Sequence, residues 1–581
     1  MVWRFPRGPR FPLNSQPVLI LGAGINGASL ARELALNRVS CWIVERGDIA
    51  CGATSKSSRL IHGGLRYLEY GEFRLVREAL IERDRLLRLA PQFVKPLTFA
   101  VPIRCRSGGW TAAIMRLMGM SATHSTPRGL WLTRTGLQLY DWFSRRSPLP
   151  AHSVSSRHGD VEPQVADAYH WVCRYADAQM QFPERYTLAL LRDAREISAK
   201  QGLDFRVLTH HDVRRNGSTV QVVDLRRMNE MTGPPEDLVA AVDREEAEPL
   251  PISIEPPMIV NATGAWGDAT LDQLGVPSRR LFGGTKGSHF LITSDALRDA
   301  LGGQAVYAET LEGRFVFVLP FGEHVLIGTT DKPFPDDPHQ AIATPEELEY
   351  LFELVRDVFP SVQLTPQDIV CHYSGVRPLP FAESLSPGAV SRDHHVELTE
   401  GDIPVLTLIG GKLTTSRQLG EQVANTVFEK LGRSRVASTR DRVVPGGREY
   451  PTDADDLAVR QSQLARDLRC DLGTIECLDA LCGSVFEDVV AGLSSFERSP
   501  ITGTQVPRGF ARWVIRNEWV RCLPDLVERR LMLLLTGHIS GETLRELAEL
   551  MVVEQRLDAT DLDREVDACR RQLSEQYGYR W

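Results

Sequence analysis

Three glycines near the start of the chain have the spacing of a phosphate-binding turn. Gly22, Gly24 and Gly27 form the pattern G-x-G-x-x-G, and Glu45 follows at the end of a later apolar run. In such a turn the first glycine permits a tight bend, the second lets the backbone approach a pyrophosphate, and the third lets a helix pack on a strand. An acidic residue after the second strand accepts hydrogen bonds from both hydroxyls of an adenosine ribose. These residues therefore predict a dinucleotide site.

The glycines are flanked by the elements that would position them. Val18–Leu21 is a short apolar run typical of a buried strand, Ile25–Leu36 has apolar residues at helical spacing, and Val39–Val44 is a second predicted strand. This order leaves the first N–H groups of the helix directed at phosphates. The alternative is a glycine-rich turn in an ordinary α/β domain. That alternative does not explain why the strands, the helix and Glu45 occur together.

Composition narrows the class of protein. The 581 residues include 67 Lys and Arg against 75 Asp and Glu, a net charge of -8, so no general attraction to nucleic acid is expected. The ten cysteines contain no Cys-x-x-Cys pair, which favours a reduced, cytoplasmic setting and no metal site. No run approaches the roughly 18 apolar residues of a membrane-spanning helix, so any membrane contact is expected from one side.

The segment after Glu45 carries the most specific pattern. A stretch rich in Gly, Ser and Thr begins at Cys51, and the run SSRLIHGGLRYLEYGEFRLVREALIER follows from Ser57. Taken alone, an arginine in such a loop would be expected to face water. Directly downstream of the glycine turn, however, the run resembles the signature of the respiratory, FAD-dependent glycerol-3-phosphate dehydrogenases, and later matches extend over nearly the whole chain. The resemblance implies FAD as a cofactor that is not covalently bound.

Several segments are expected to line the FAD. The Gly/Ser/Thr-rich stretch offers amides and hydroxyls. An Asn-Ala-Thr-Gly turn is similar to one in flavoproteins with two dinucleotide-binding motifs, and a Gly-Gly turn before a helix repeats the anion-binding arrangement. The alternatives are a plain strand end and one more αβ crossover. Besides Gly22, Gly24, Gly27 and Glu45, the expected cofactor residues are Thr54, Ser55, Ser58, His62, Gly63, Gly64, Ala262, Gly264, Thr330, Asp331, Gly411, Lys412, Leu413 and Thr414.

The resemblance also implies a site for a phosphorylated alcohol. Oxidation at C2 of glycerol 3-phosphate removes a hydride from carbon and a proton from the hydroxyl, and cations must hold the phosphate dianion. His289 is expected to take the proton, because a neutral imidazole accepts one at physiological pH, and Arg377 belongs to the same catalytic set. The alternative for His289 is that it merely orients a neighbour. The residues expected to bind substrate are Arg66, Tyr67, Arg392 and Lys412.

Arginines and tryptophans are interspersed, with few acids, between Arg104 and His152. This composition suits the interface of an anionic bilayer, where each nearby cation adds about 1 kcal/mol of attraction. The alternative is a helical hairpin with its apolar face in the core. In the family the similar region sits on the membrane, which implies a peripheral protein on the cytoplasmic face of the cell membrane with quinone as electron acceptor; a homodimer is left open. The arginines singled out are Arg128, Arg134, Arg145 and Arg146.

The order of elements, together with the resemblance, predicts an α/β fold in three parts. A Rossmann-like FAD domain with two dinucleotide-binding motifs is expected over about 16–100, 150–280 and 395–435. An antiparallel-sheet substrate domain of the D-amino-acid-oxidase type, about 100–150 and 281–395, is interleaved with it within 1–440. Amphipathic helices dominate afterwards, so 441–581 is expected to form a C-terminal all-α domain.

The expected activity is oxidation of sn-glycerol 3-phosphate to dihydroxyacetone phosphate, with electrons passing to membrane quinone. One rival is a glycerol-3-phosphate oxidase that uses oxygen. Another is an amino-acid or amine oxidase of the same fold, which would usually need one arginine for a carboxylate rather than several cations. From a different class comes a flavin-containing binding or RNA-modifying protein, which the absence of a broad basic signal disfavours.

Overall fold

The computed structural model describes residues 16–110, 113, 128–156, 162–226, 251–309, 315–382 and 393–581, and only the backbone of Arg66. Arg392 and the side chain of Arg66 therefore lie outside the described residues. The strands are β1 (Val18–Leu21), β2 (Cys41–Glu45), β3 (Leu60–Ile61), β4 (Val94–Ile103), β5 (Ser153–Ser156), β6 (Trp171–Met180), β7 (Phe205–Thr209), β8 (His211–Asn216), β9 (Thr219–Asp224), β10 (Ile252–Ile254), β11 (Ile259–Asn261), β12 (Thr285–Ile292), β13 (Ala305–Glu309), β14 (Phe315–Phe321), β15 (His324–Gly328), β16 (Lys332–Pro333), β17 (Ile369–Arg377), β18 (His395–Thr399) and β19 (Val405–Ile409).

Helices cover the sheets and make up the C-terminal part of the chain. The α-helices are α1 (Ile25–Leu36), α2 (Phe73–Leu89), α3 (Leu130–Phe143), α4 (Pro183–Gln201), α5 (Gly267–Gln273), α6 (Asp295–Leu301), α7 (Pro345–Val358), α8 (Ser416–Lys430), α9 (Ala454–Leu468), α10 (Leu472–Cys482), α11 (Val485–Ala491), α12 (Ser495–Arg498), α13 (Arg508–Asn517), α14 (Leu533–Thr536), α15 (Gly541–Val553) and α16 (Leu562–Tyr577). Short 3₁₀ turns lie at Leu65–Tyr70, Gly264–Trp266, Pro338–Gln340, Pro366–Asp368, Thr439–Asp441 and Ala559–Asp561, and a π-helical turn at Asp525–Arg530.

The described strands form three sheets, as the predicted fold class requires. A six-stranded sheet has the order β18-β19-β11-β1-β2-β7 and is parallel except for the edge pair β18 and β19. A ten-stranded, mainly antiparallel sheet has the order β16-β12-β15-β14-β13-β4-β6-β3, with β17 paired to β12 and β5 to β6. The third sheet, β10-β9-β8, is small. The fold is thus a Rossmann-like layer beside an antiparallel sheet.

The first β-α-β unit packs as its glycines predict. Every residue of β1 is buried, and α1 has the predicted bounds, while β2 lies at Cys41–Glu45, slightly later than predicted. Gly22 has φ +102°, and a Cβ on Gly27 would lie 2.1 Å from the Gly22 carbonyl oxygen. A side chain at position 27 would therefore push α1 away from β1, which explains why the G-x-G-x-x-G pattern has glycine there.

β6 lies in the ten-stranded sheet, although its residues fall within a range predicted for the FAD domain. It pairs antiparallel with β4 over ten residues, from Trp171 opposite Ile103 to Met180 opposite Val94. A ladder of this length, buried along most of β6, fixes the strand in the second sheet. In the same sheet, β14 and β15 form a hairpin around Gly322 and Glu323.

The C-terminal region contains, among the described residues, helices and one isolated bridge between Pro500 and Pro507. Buried ion pairs join it to the first β-α-β unit. Asp48, which follows β2, accepts from Arg530 at 2.6 and 2.7 Å and from Arg529 at 2.6 Å, and all three side chains are buried. No helix in the described part of the chain combines the length and apolar character needed to cross a bilayer.

Replacing Asp48 tests this junction. In Asp48→Ala, two buried guanidinium groups lose their shared carboxylate, and we expect the free energy of unfolding to fall by about 3–5 kcal/mol. Denaturant unfolding followed by circular dichroism measures the change. Asp563→Ala is the matched control, because Asp563 pairs with Arg545 on the surface and its loss should change stability little. Equal stabilities of the two variants would contradict the role of Asp48.

Candidate active site

Three turns converge at the carboxyl ends of the central strands of the parallel sheet. A Cβ on Gly22, after β1, would lie 2.6 Å from the Ala262 carbonyl oxygen, after β11. A Cβ on Gly411, after β19, would lie 2.7 Å from Asn26 Nδ2, in the first turn of α1. The structure therefore brings the predicted glycine turn, the Asn-Ala-Thr-Gly turn with Gly264, and the Gly-Gly turn together. Ligands of open α/β sheets bind at this edge.

Glu45 and Thr54 organise the same edge. The Glu45 carboxylate accepts from the backbone N–H of Ala23 at 2.8 Å and of Gly47 at 2.9 Å. Thr54 Oγ1 accepts from the Ile25 N–H at 3.1 Å. Burial raises the pKa of Glu45, whereas the two N–H donors act in the opposite direction. Each carboxylate oxygen keeps a further lone pair for a ligand hydroxyl.

The chemistry of this edge fits an anionic dinucleotide. The N-cap residue of α1, Gly24, provides no side-chain hydrogen bond, and the first turn of α1 contains no acidic residue. Within the described structure, the buried Asn26 Oδ1 has no hydrogen-bond partner. Thr54 takes the Ile25 N–H, and the remaining N–H groups at the positive end of the helix dipole favour phosphate. Ser55, a predicted cofactor residue, donates its hydroxyl to the Gly52 carbonyl oxygen at 3.2 Å.

The loop after β3 meets the Gly-Gly turn. The His62 N–H donates to Thr414 Oγ1 at 3.2 Å, and Lys412 Nζ lies 3.9 Å from the centroid of the Tyr67 ring. Gly64 has φ +77°, the left-handed conformation that favours glycine. The predicted cofactor residues His62 and Thr414 and the predicted substrate residues Tyr67 and Lys412 are therefore neighbours. Leu413, also a predicted cofactor residue, lies between Lys412 and Thr414 in the sequence and is partly buried.

Gly63 is held by a buried network that sequence patterns did not reveal. Its N–H donates to Tyr140 Oη at 2.9 Å, and that hydroxyl donates to the Asp177 carboxylate at 2.7 and 2.8 Å. Arg83 on α2 pairs with Asp177 at 2.7 Å. A Cβ on Gly63 would lie 2.5 Å from Tyr140 Oη and 2.6 Å from a methyl group of Leu80. Asp177 thus has a structural role.

His289 and Arg377 share one face of the ten-stranded sheet. β12 and β17 pair so that Thr285 lies opposite Arg377 and His289 opposite Tyr373. The Arg377 guanidinium donates to Asp331 at 2.9 Å, and a Cβ on Gly287 would lie 2.3 Å from its Nη2. Burial lowers the pKa of His289 well below 6.5, and the positive charges of Arg377 and Arg59 lower it further. The imidazole is therefore neutral across the physiological pH range, a weaker base than an ordinary histidine.

Thr330 was predicted to contact the cofactor, but its hydroxyl is used in hydrogen bonds within the protein. Thr330 Oγ1 donates to Glu347 and accepts from the Ser288 N–H, both at 2.9 Å, so its hydroxyl is engaged inside the protein. Gly287 and Gly328 were not among the predicted site residues, although their lack of a side chain makes room for Arg377 and His289. The signal was present, because each glycine stands in a strand, where it often marks a close approach of another group.

A group with metal-ligand atoms, His210, Cys522 and Asp525, lies beside the segment after β2, because the His210 N–H donates to the Gly47 carbonyl oxygen at 2.8 Å. The Asp525 carboxylate accepts from the N–H groups of Arg521 and Cys522 at 3.0 and 3.2 Å and pairs with Arg529 at 3.4 Å. A carboxylate that already caps a turn and faces an arginine is poorly suited to a cation, so we interpret the group as structural.

The arginine- and tryptophan-rich region divides into an exposed face and a buried arginine. On α3, Trp131 is 51% and Trp142 is 52% exposed, and Arg145 stacks 5.5 Å from the Trp142 ring centroid. Arg128 was predicted to face lipid, but its side chain is buried and pairs with Glu69, at 2.7 Å, and with Glu309. That prediction is wrong, because two carboxylates distant in the sequence surround the guanidinium.

Comparisons with known proteins agree with this architecture. The family model "FAD dependent oxidoreductase" matches residues 17–417. The aerobic glycerol-3-phosphate dehydrogenase of Escherichia coli K12 is 32% identical over 534 residues, which cover 89% of this chain and 94% of that protein. The chain belongs to the family of FAD-dependent glycerol-3-phosphate dehydrogenases. The D-erythritol 1-phosphate dehydrogenase of Brucella abortus is also similar, with 31% identity over 530 residues that cover 88% of this chain and 93% of that protein.

A solved structure supports the fold over nearly the whole chain. The glycerol-3-phosphate dehydrogenase from Bacillus halodurans, complexed with FAD, superposes with a TM-score of 0.69 at 20% identity and covers 97% of this chain and 95% of its own. Because the family model of FAD-dependent oxidoreductases matches residues 17–417, FAD is the cofactor of this chain, and the N-terminus of α1 and the buried Asn26 Oδ1 fit that assignment.

Glu45 is the test residue for the FAD site. In Glu45→Arg, the ribose acceptor is lost and a bulky cation is introduced, so we expect the flavin bound per folded polypeptide to fall. Flavin absorbance after gel filtration measures it, with circular dichroism as the check on folding. Arg46→Ser is the matched control, because the neighbouring Arg46 side chain is 63% exposed. Unchanged flavin content in folded Glu45→Arg would contradict the assignment.

Proposed function

We propose that this protein oxidises sn-glycerol 3-phosphate to dihydroxyacetone phosphate and passes the electrons to a membrane quinone. The observation that carries the proposal is a buried, neutral histidine, His289, on the same sheet face as a half-buried arginine, Arg377. An alcohol oxidation needs a base, and an anionic substrate needs cations. The close similarity to the enzyme of Escherichia coli supports the choice of substrate.

The proposed division of labour follows the chemistry of each group. When bound, FAD supplies the acceptor for the hydride from C2. His289 takes the proton of the C2 hydroxyl. Arg377, Lys412, Arg66 and Arg392 hold the phosphate dianion, and Tyr67 supports the ammonium group of Lys412 through its ring face, 3.9 Å away. The cations close to His289 disfavour protonation of its imidazole. The negative charge of the bound substrate phosphate offsets this repulsion, so the substrate itself makes His289 a stronger base.

The quinone and membrane parts of the proposal are supported by the exposed face of α3 and its neighbours. Trp131 and Trp142 point out of the protein, Arg145 and Arg146 follow them, and the exposed Phe73 of α2 packs with its ring centroid 6.2 Å from that of Phe143. Exposed aromatic rings beside arginines suit the headgroup region of an anionic bilayer. The protein then acts as a peripheral enzyme on the cytoplasmic face of the cell membrane.

Separating binding from chemistry tests the proposed roles. His289→Ala should lower kcat by about 100-fold or more, as expected for loss of a general base. Arg392→Ala should mainly raise KM, because a cation that binds ground and transition states alike leaves kcat nearly intact. Anaerobic stopped flow follows the bleaching of the flavin after glycerol 3-phosphate is added.

Three outcomes would overturn the assignments. Wild-type bleaching rates in His289→Ala would exclude His289 as the base. Faster bleaching of the wild type by D-erythritol 1-phosphate than by glycerol 3-phosphate would reassign the substrate, and rapid re-oxidation by oxygen rather than by a soluble quinone would favour an oxidase.

The membrane contact is tested with the exposed face of α3. Replacing Trp131, Trp142, Arg145 and Arg146 with Ser should release the protein from anionic vesicles at low salt, and high salt should weaken wild-type binding by screening. Vesicle co-sedimentation measures both effects. Phe496→Ser is the control, since Phe496 is 74% exposed on α12, away from this face. Wild-type protein that ignores anionic vesicles at low salt would contradict the membrane assignment.

A further inference from the structure

The His289 ring is fixed on both faces. It lies on β12 between Gly328 of β15 and Tyr373 of β17. On one side it stacks on Tyr373, with ring centroids 5.0 Å apart and planes 24° apart. On the other side a Cβ on Gly328 would lie only 2.2 Å from His289 Cδ2. The ring therefore has little room to tilt, and its two nitrogen atoms keep fixed positions.

The two nitrogen atoms have different surroundings. His289 Nε2 lies 2.8 Å from Ser58 Oγ, a hydrogen-bond distance. His289 Nδ1 is buried and has no hydrogen-bond partner among the described residues. Buried polar atoms without a partner are rare unless a ligand or water completes them. Nδ1 is thus the nitrogen with an acceptor position left for a ligand.

Ser58 is itself held by a rigid neighbour. Arg59 forms a buried pair with Glu184 at 2.7 and 3.0 Å and donates to the Ser55 carbonyl oxygen at 2.9 Å. Arg59 Nε also lies 3.4 Å from Tyr373 Oη, so the residue that stacks on His289 also contacts the anchor of Ser58. The serine hydroxyl is therefore placed by the same packed unit that fixes the imidazole.

We propose that Ser58 is a positioning residue whose hydroxyl accepts the hydrogen bond of His289 Nε2–H and keeps the lone pair on Nδ1 for the substrate hydroxyl. In a neutral imidazole one nitrogen carries hydrogen and the other accepts, so fixing the first fixes the second. Nδ1 then takes the proton of the C2 hydroxyl while the C2 hydride leaves for the FAD, and the O–H electron pair becomes the carbonyl π bond. This inference rests on the proposed function and on His289 as its base.

The test compares three serine variants of the FAD-loaded protein. Ser58→Ala should lower kcat per bound flavin by about 10- to 100-fold with KM within about twofold, because a misplaced base weakens the chemical step more than binding. Ser58→Thr keeps the hydroxyl and should recover most of the rate. Ser153→Ala is the control, since Ser153 is exposed on β5.

A spectroscopic readout tests the tautomer without turnover. In protein labelled with 15N-histidine, the His289 signals, identified by their loss in His289→Ala, should show hydrogen on Nε2 and none on Nδ1. Hydrogen on Nδ1 in the wild type would overturn the proposal. So would a normal rate per flavin in Ser58→Ala, including the case in which flavin content alone falls, which would make Ser58 a cofactor residue. Failure of the wild type to bleach with glycerol 3-phosphate would instead overturn the proposed function.

Discussion

Buried ion pairs fix the segment that follows β2, and the candidate site depends on that segment. Between Asp48 and Tyr67 only β3 and a 3₁₀ turn are regular, so few backbone hydrogen bonds hold this part of the chain. Asp48 is tied to Arg530, Arg59 to Glu184, and Gly63 reaches the Arg83–Asp177 pair through Tyr140. Such pairs add little net stability over apolar packing, but breaking one leaves a buried charge. Their effect here is a defined loop geometry.

Local patterns predicted the elements well, because their causes are local. The bounds of α1 follow from helical spacing after a glycine turn, and the structure has this helix where the sequence predicts it. The turns after β1, β11 and β19 were recognised separately. That they meet follows from parallel pairing in the six-stranded sheet, which a general rule of α/β folds supplies without any structure.

The failures have a different physical origin, namely partners far apart in the sequence. From its sequence neighbours, Arg128 was predicted to be a lipid-facing cation. In the fold it pairs with Glu69 and Glu309, which belong to other elements. From its position in the chain, β6 was predicted to belong to the dinucleotide domain, but its pairing with β4 places it in the antiparallel sheet. Similarly, a serine in a Gly/Ser/Thr-rich loop suggests a cofactor contact, whereas Ser58 contacts His289, a residue 231 positions further along the chain. Composition and periodicity contain no information on such pairings.

The two sides of α3 limit how this helix can be redesigned. The aromatic side faces outward, but on the other side the Tyr140 hydroxyl accepts from the main-chain N–H of Gly63. Excising the helix, or replacing it with a different one, would remove the group that positions the loop beside Tyr67 and Lys412. Changes to the proposed membrane contact must therefore be confined to the outward side chains, because the helix also supports the candidate site.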